Sequence, residues 1–137
     1  MKQMALTLLV IVSLGGCATP PGRLDKTDFE WTEINTDYTY QEAYRRMDAG
    51  FKKCGFPIEN ALFTDNQTAY FYIFLPDMLG GKSAWVLGKV DISAKIPAGS
   101  VIEIGVMHKY DKPLFGEPGK IRKAFEKFVQ GDYNACN

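Results

Sequence analysis

Three cysteines, a single histidine and scattered carboxylates are the residues of this chain that could do covalent, metal or acid–base chemistry. His108 lies in a run whose pattern predicts a strand, with no evident nucleophile beside it, so a hydrolase triad is not expected. A zinc site is not expected either, because His108 is the only histidine and no Cys-x-x-Cys spacing exists to start one. Glu59 with Asp65, and Glu103 with Asp91, are carboxylate pairs of the kind glycosidases use, but the pattern around them indicates no cleft. Gly81-Lys82-Ser83 has the ending of a phosphate-binding loop. Pro76, however, stands where that motif's first glycine belongs, and a strand rather than a helix follows. The chain therefore reads as a non-enzyme, with no cofactor and no metal.

Cys17 sits in a different context. Lys2 gives a positive start, Met4 to Leu14 is apolar apart from Thr7 and Ser13, and Leu14-Gly15-Gly16 leads into the cysteine. The apolar run falls short of the roughly 20 residues a membrane span needs, as a signal-peptide core does. Charge, apolar length, two small residues and cysteine in this order resemble the leader and lipobox of bacterial lipoproteins. The resemblance covers only the leader. It implies a signal peptide over residues 1–16, a diacylglycerol on the Cys17 sulfur, cleavage after Gly16 and acylation of the new amino terminus. Ala18, where inner-membrane lipoproteins carry Asp, implies the outer membrane for a Gram-negative source. Lipidation of Cys17 would leave Cys54 and Cys136 in an oxidising compartment, where a disulfide is expected over two free thiols. So long a closed loop would contribute on the order of 4 kcal/mol in the chain-entropy picture.

Removing Lys2 from the 16 basic residues leaves 15 against 16 acidic ones. A domain so nearly neutral, without a long block of one sign, is not expected to bind nucleic acid. Residues 17–26, with Pro20, Pro21 and Gly22, show no periodicity and read as a lipidated tether, leaving 27–137 as a single domain.

Within that domain the period is first helical. Thr39 and Glu42 form a capping box ahead of a helix from Tyr40 to Lys53, whose apolar face is Tyr40, Ala43, Tyr44, Met47 and Phe51. The period then changes to two, predicting strands near Ile58 to Thr64, Thr68 to Leu75, Ala84 to Ile96 and Ser100 to Lys109. Pro118 is a favoured first position for a last helix, with Ile121, Ala124, Phe125, Phe128 and Val129 on one face and a stop at Gly131. The fold class is α+β in the order α-β-β-β-β-α: a four-stranded antiparallel meander with two helices on one face, bringing the helix C-terminal regions together so that Cys54 meets Cys136. Phe29 to Ile34 could add a further extended strand.

Alternation assigns Leu62, Phe71, Ile73, Val86, Val90, Ile92, Ile102, Ile104 and Val106 to the inner face. The outer face is polar at Lys89, Asp91, Ser93, Lys95 and Glu103, but carries Tyr70, Tyr72, Phe74, Trp85, Leu87 and Met107 at its other end. Pairing of Phe74 with Trp85 and of Tyr72 with Leu87 would gather these into one patch beside Met78 and Leu79. Such a patch is either a partner-binding surface or a surface that Phe29 and Trp31 of the N-terminal segment fold over. The expected role is a non-catalytic interaction or scaffold module, lipid-anchored at the outer membrane, facing the periplasm and holding an envelope protein partner. The alternative is a periplasmic small-molecule or lipid-binding module, which needs a cavity between sheet and helices.

Overall fold

The computed structural model describes residues 21–111 and 119–136. Cys17 with its lipobox, and Pro118 as a helix start, lie outside the described residues. The protein is α+β, its described residues forming a five-stranded antiparallel sheet with two α-helices. Its strands are β1 (Phe29–Thr36), β2 (Ile58–Phe63), β3 (Thr68–Pro76), β4 (Lys82–Ala94) and β5 (Ser100–Met107), and its helices α1 (Tyr40–Lys53) and α2 (Lys120–Val129). The sheet order is β1-β5-β4-β3-β2, so the last four strands make the expected meander. The expected four-stranded sheet is corrected to five, because Phe29–Thr36 pairs along its whole length with β5, from Phe29 opposite Met107 to Thr36 opposite Ser100.

Residues 21–26, expected as part of a tether, are structured where they are described. Residues 21–23 and 26–28 form 3-10 turns, the second held by a reciprocal cap between Asp25 and Asp28. Leu24 between them packs against Phe29, Phe74 and Val86.

Both helices lie on one face and bury a single core, in which Met47, Phe51, Phe71, Phe125, Phe128, Val90 and Ile104 have no solvent exposure. α1 starts where Thr39 accepts a hydrogen bond from the Glu42 amide, 3.2 Å. The Phe51 ring is central, standing edge-on to Phe125 and Phe128 at 5.0 and 5.4 Å between centroids and tilted against Phe71 at 5.3 Å, the arrangements in which ring quadrupoles attract. Gly50 lets Phe128 approach: a Cβ there would overlap the ring.

Cys54 and Cys136 form a disulfide, with 5.4 Å between their Cα atoms. The route by which they meet differs from the expectation that the two helix ends converge. The helices run antiparallel, Arg46 of α1 reaching the Val129 carbonyl at 3.1 Å while Phe51 and Phe56 lie on Phe125. Gly131, at φ +78°, reverses the chain after α2, with the Gly131 amide bonded to the Phe128 carbonyl and that of Asp132 to the Lys127 carbonyl. Left-handed glycine caps of this form turn a chain sharply. The tail then returns past Phe128, where Tyr133 packs, to deliver Cys136 to the end of α1.

Candidate functional site

The outer sheet face, opposite the helices, holds the aromatic residues that the sequence singled out, in a changed arrangement. A β-bulge in β4 causes the change. Ile73 pairs with Gly88 and Phe74 with Val86, leaving Leu87 unpaired between them. An inserted residue reverses the alternation beyond it. Leu87 is therefore 2 % exposed and belongs to the core under the helices, correcting its expected outer position. Val86, expected inside, packs outside against Phe74. The expected pairs Phe74–Trp85 and Tyr72–Leu87 are replaced by Phe74–Val86 and Tyr72–Lys89.

Trp85 leaves the patch as well. It packs into neither apolar cluster, and its ring lies under the Lys109 ammonium at 4.5 Å, beside Tyr110, over which the same ammonium stands at 5.0 Å. Leu62, expected in the core, is 38 % exposed on the edge strand β2.

What remains outside divides into two parts. At the end nearest the β3–β4 connection, Phe29, Phe74 and Val86 make a second small core of buried residues, with Leu24, Trp31, Tyr72 and Met107 packed around it. Phe29 and Trp31 thus do fold over part of the patch, and Phe74 at 3 % exposure is covered. The Trp31 ring lies flat on Gly105, where a Cβ would come within 2.9 Å, and its indole N–H donates to the Lys26 carbonyl at 2.8 Å.

Towards β2 the face is open. Tyr70 and Tyr72 are half buried, Phe63 is 46 % exposed, and the three rings are contiguous, with centroids 6.0 Å apart for Phe63–Tyr70 and 5.6 Å for Tyr70–Tyr72. A depression of about 290 Å³ beside them is lined by Phe63, Tyr70, Asp91, Ser93 and Glu103. Phe63 lies one residue before a turn and was missed because its alternation partner Ala61 gives the strand no amphipathic contrast.

The charges on this face are matched. Asp91 and Glu103 sit opposite each other on β4 and β5, and each has a lysine: Lys89 at 2.8 Å and Lys26 at 3.2 Å. The two lysines also stand over Tyr72 and Trp31, 5.6 and 5.5 Å from the ring centroids. Glu59 is paired with Lys82. The candidate carboxylate pairs are thus neutralised by lysines or separated.

His108 is likewise held by its surroundings, one ring nitrogen 3.0 Å from the Thr27 carbonyl and the other 3.5 Å from Glu30. Asp111 accepts from Arg122, whose guanidinium also donates to Thr32 at 2.7 Å, tying α2 to β1. On α1, Arg46 hydrogen-bonds Glu42 and holds its carboxyl below the ordinary value, while Asp48 raises the Lys52 ammonium.

On the helical side a groove of about 450 Å³ runs along α2, floored by Phe56, Ile121, Ala124 and the Cys54–Cys136 bridge and walled by Lys120, Lys123 and Lys127. Among the described residues no group of three or more His, Cys, Asp or Glu could hold a metal ion, and no helix is long and apolar enough to cross a membrane. None of the known family models, curated proteins or solved structures matches the chain. The reading of function therefore rests on the residues themselves.

Proposed function

We propose that this chain is a lipid-anchored protein of the bacterial cell envelope, acylated at Cys17 and held at the outer membrane with its domain facing the periplasm, where it serves as a non-catalytic interaction or scaffold module. The leader residues from Lys2 to Cys17 support export and anchoring. The Cys54–Cys136 bridge supports the same compartment, since such bonds persist where the surroundings are oxidising. The observation that carries the interaction role is the open aromatic strip of Phe63, Tyr70 and Tyr72 on the sheet face opposite the two helices. Contiguous, rigid aromatic side chains with a polar rim are what protein partners bury. Trp85 and Leu87 have no part in this surface; Phe74 and Met107 belong to the covered cluster that adjoins it at Tyr72.

A photo-crosslinking residue in place of Tyr72, with a second placed at Lys123 on α2 for comparison, tests the proposal in living cells. One predominant protein adduct from position 72, absent from position 123, is the expected result. Equal adducts from both positions would remove the strip as the contact surface. Labelled fatty acid should fail to incorporate into Cys17→Ala, and continued labelling would reject the anchor.

A second reading, a small-molecule or lipid-binding module, is favoured by the groove along α2, whose apolar floor and three lysines suit an anionic amphiphile. Binding of a fatty acid that is lost in Lys123→Glu would favour that reading over a scaffold.

A further inference from the structure

The β3–β4 connection ends in the two most exposed apolar side chains of the described residues: Met78 and Leu79, both without cover. We propose that this tip inserts into the surface of the bilayer that carries the Cys17 lipid, fixing how the domain faces its membrane; the inference rests on the anchor reading above. Three observations support it. The first is position. Leu24 packs against Phe74 and Val86, at the base of the same hairpin, and β1 begins opposite Met107, at the same end of the sheet. Only four peptide links separate Cys17 from Pro21, a reach of at most about 14 Å. A lipid at Cys17 therefore leaves the molecule at the end from which the tip projects.

The second is that the turn pairs four of its own backbone amides, which lowers the cost of taking that backbone out of water. One Asp77 carboxylate oxygen accepts from the Leu79 and Gly81 amides at 2.8 and 2.7 Å. The Gly80 amide donates to the Asp77 carbonyl at 3.0 Å, and the Asp77 amide to the Gly81 carbonyl at 2.7 Å. Gly80 supplies the positive φ that this closure requires, +81°. The result is a preorganised wedge rather than a floppy loop.

The third is what surrounds the hairpin. Lys82 stands over Phe74 at 4.6 Å and Lys109 over the half-buried Trp85 at 4.5 Å. Tryptophan and lysine are the residues that settle at headgroup depth, with apolar side chains below them.

The mature acylated protein in zwitterionic phospholipid vesicles gives the test, with a nitroxide at Leu79→Cys and, for comparison, at Ile96→Cys, which is 92 % exposed in the β4–β5 turn at the opposite end. Mass spectrometry verifies both the acyl group on Cys17 and the intact native bridge. Collisions with dissolved oxygen should exceed those with a water-soluble nickel complex several-fold at position 79, and the ratio should invert at position 96. Water-like values at both positions in acylated protein would overturn the insertion and leave the anchor standing. Finding no acyl group on Cys17 would remove the anchor and the insertion together. A tip that becomes apolar only when a protein partner is added would assign it to that partner instead and overturn the proposal.

Discussion

The sheet carries aromatic and aliphatic side chains on both faces, yet the two faces have become different materials. Under the helices, Phe71, Ile73, Val90, Ile102 and Ile104 are closed from solvent against Phe51, Phe125 and Phe128. On the opposite side, no helix arrives among the described residues. There the chain covers one end with its own Phe29, Trp31 and Leu24 and leaves Phe63, Tyr70 and Tyr72 half open. The open rings differ from the closed ones in carrying a hydroxyl in two of three cases and in having lysines and carboxylates beside them. Tyrosine can meet water at its tip and an apolar surface along its ring, so the face stays soluble without surrendering contact area.

The difference between the faces can be broken by mutation. Phe51→Ala removes a ring with four aromatic neighbours from a site roofed on every side. It should lower unfolding free energy by about 3–5 kcal/mol, measured by urea denaturation. Phe29→Ala acts on the outer cluster, which has few layers and can settle around the gap. Its cost should be about 2 kcal/mol in the same assay. Equal losses for the two substitutions would mean that the outer cluster is as much a core as the helical side, and the contrast between the faces would fail.

The smallest effect expected is one of acidity, at the rim of the helical layer. Arg46 holds the Glu42 carboxyl below its ordinary 4.5. A depressed folded-state value gives stability that is complete above 4.5 and fades as pH falls through the lower folded value. Glu42 is partly exposed, so salt should weaken the effect further. Denaturation midpoints taken across the acid range should fall less steeply for Glu42→Gln than for the unaltered protein, and parallel curves would show that the pair contributes nothing.

Where the sequence carried sharp contrast, it was legible. α1 spans Tyr40–Lys53 as its Thr39 cap and apolar spacing require, although the expected capping box is only half made, because the Glu42 carboxylate turns to Arg45 and Arg46; β5 alternates cleanly, with Ile102, Ile104 and Val106 inside and Glu103 out. The candidate surface was harder to read because Ala84-Trp85-Val86-Leu87-Gly88 contains no polar residue to fix the phase of alternation. A bulge within such a run leaves no local mark, and with it went the positions of Trp85, Val86 and Leu87. The partner of β1 was illegible for another reason. Its hydrogen bonds are made to β5, some seventy residues on, and nothing within Phe29–Thr36 records that distance. The antiparallel return of the tail was hidden in Gly131, which marks a stop but not the direction taken after it.

Under the export proposed above, that tail would also set an order of events for a chain threaded across a membrane from its N-terminus. Cys54 enters 82 residues ahead of Cys136, and β1 waits for β5. Until residues 100–107 enter, β1 has no partner and β4 has a bare edge, and until residue 136 arrives Cys54 lacks its native partner. Quality control in an oxidising compartment would therefore meet this protein first as an open, mispairing-prone intermediate and only at the close of delivery as a locked fold. Slowing the last part of transport should raise the yield of mixed disulfides at Cys54 before it changes anything in the finished molecule.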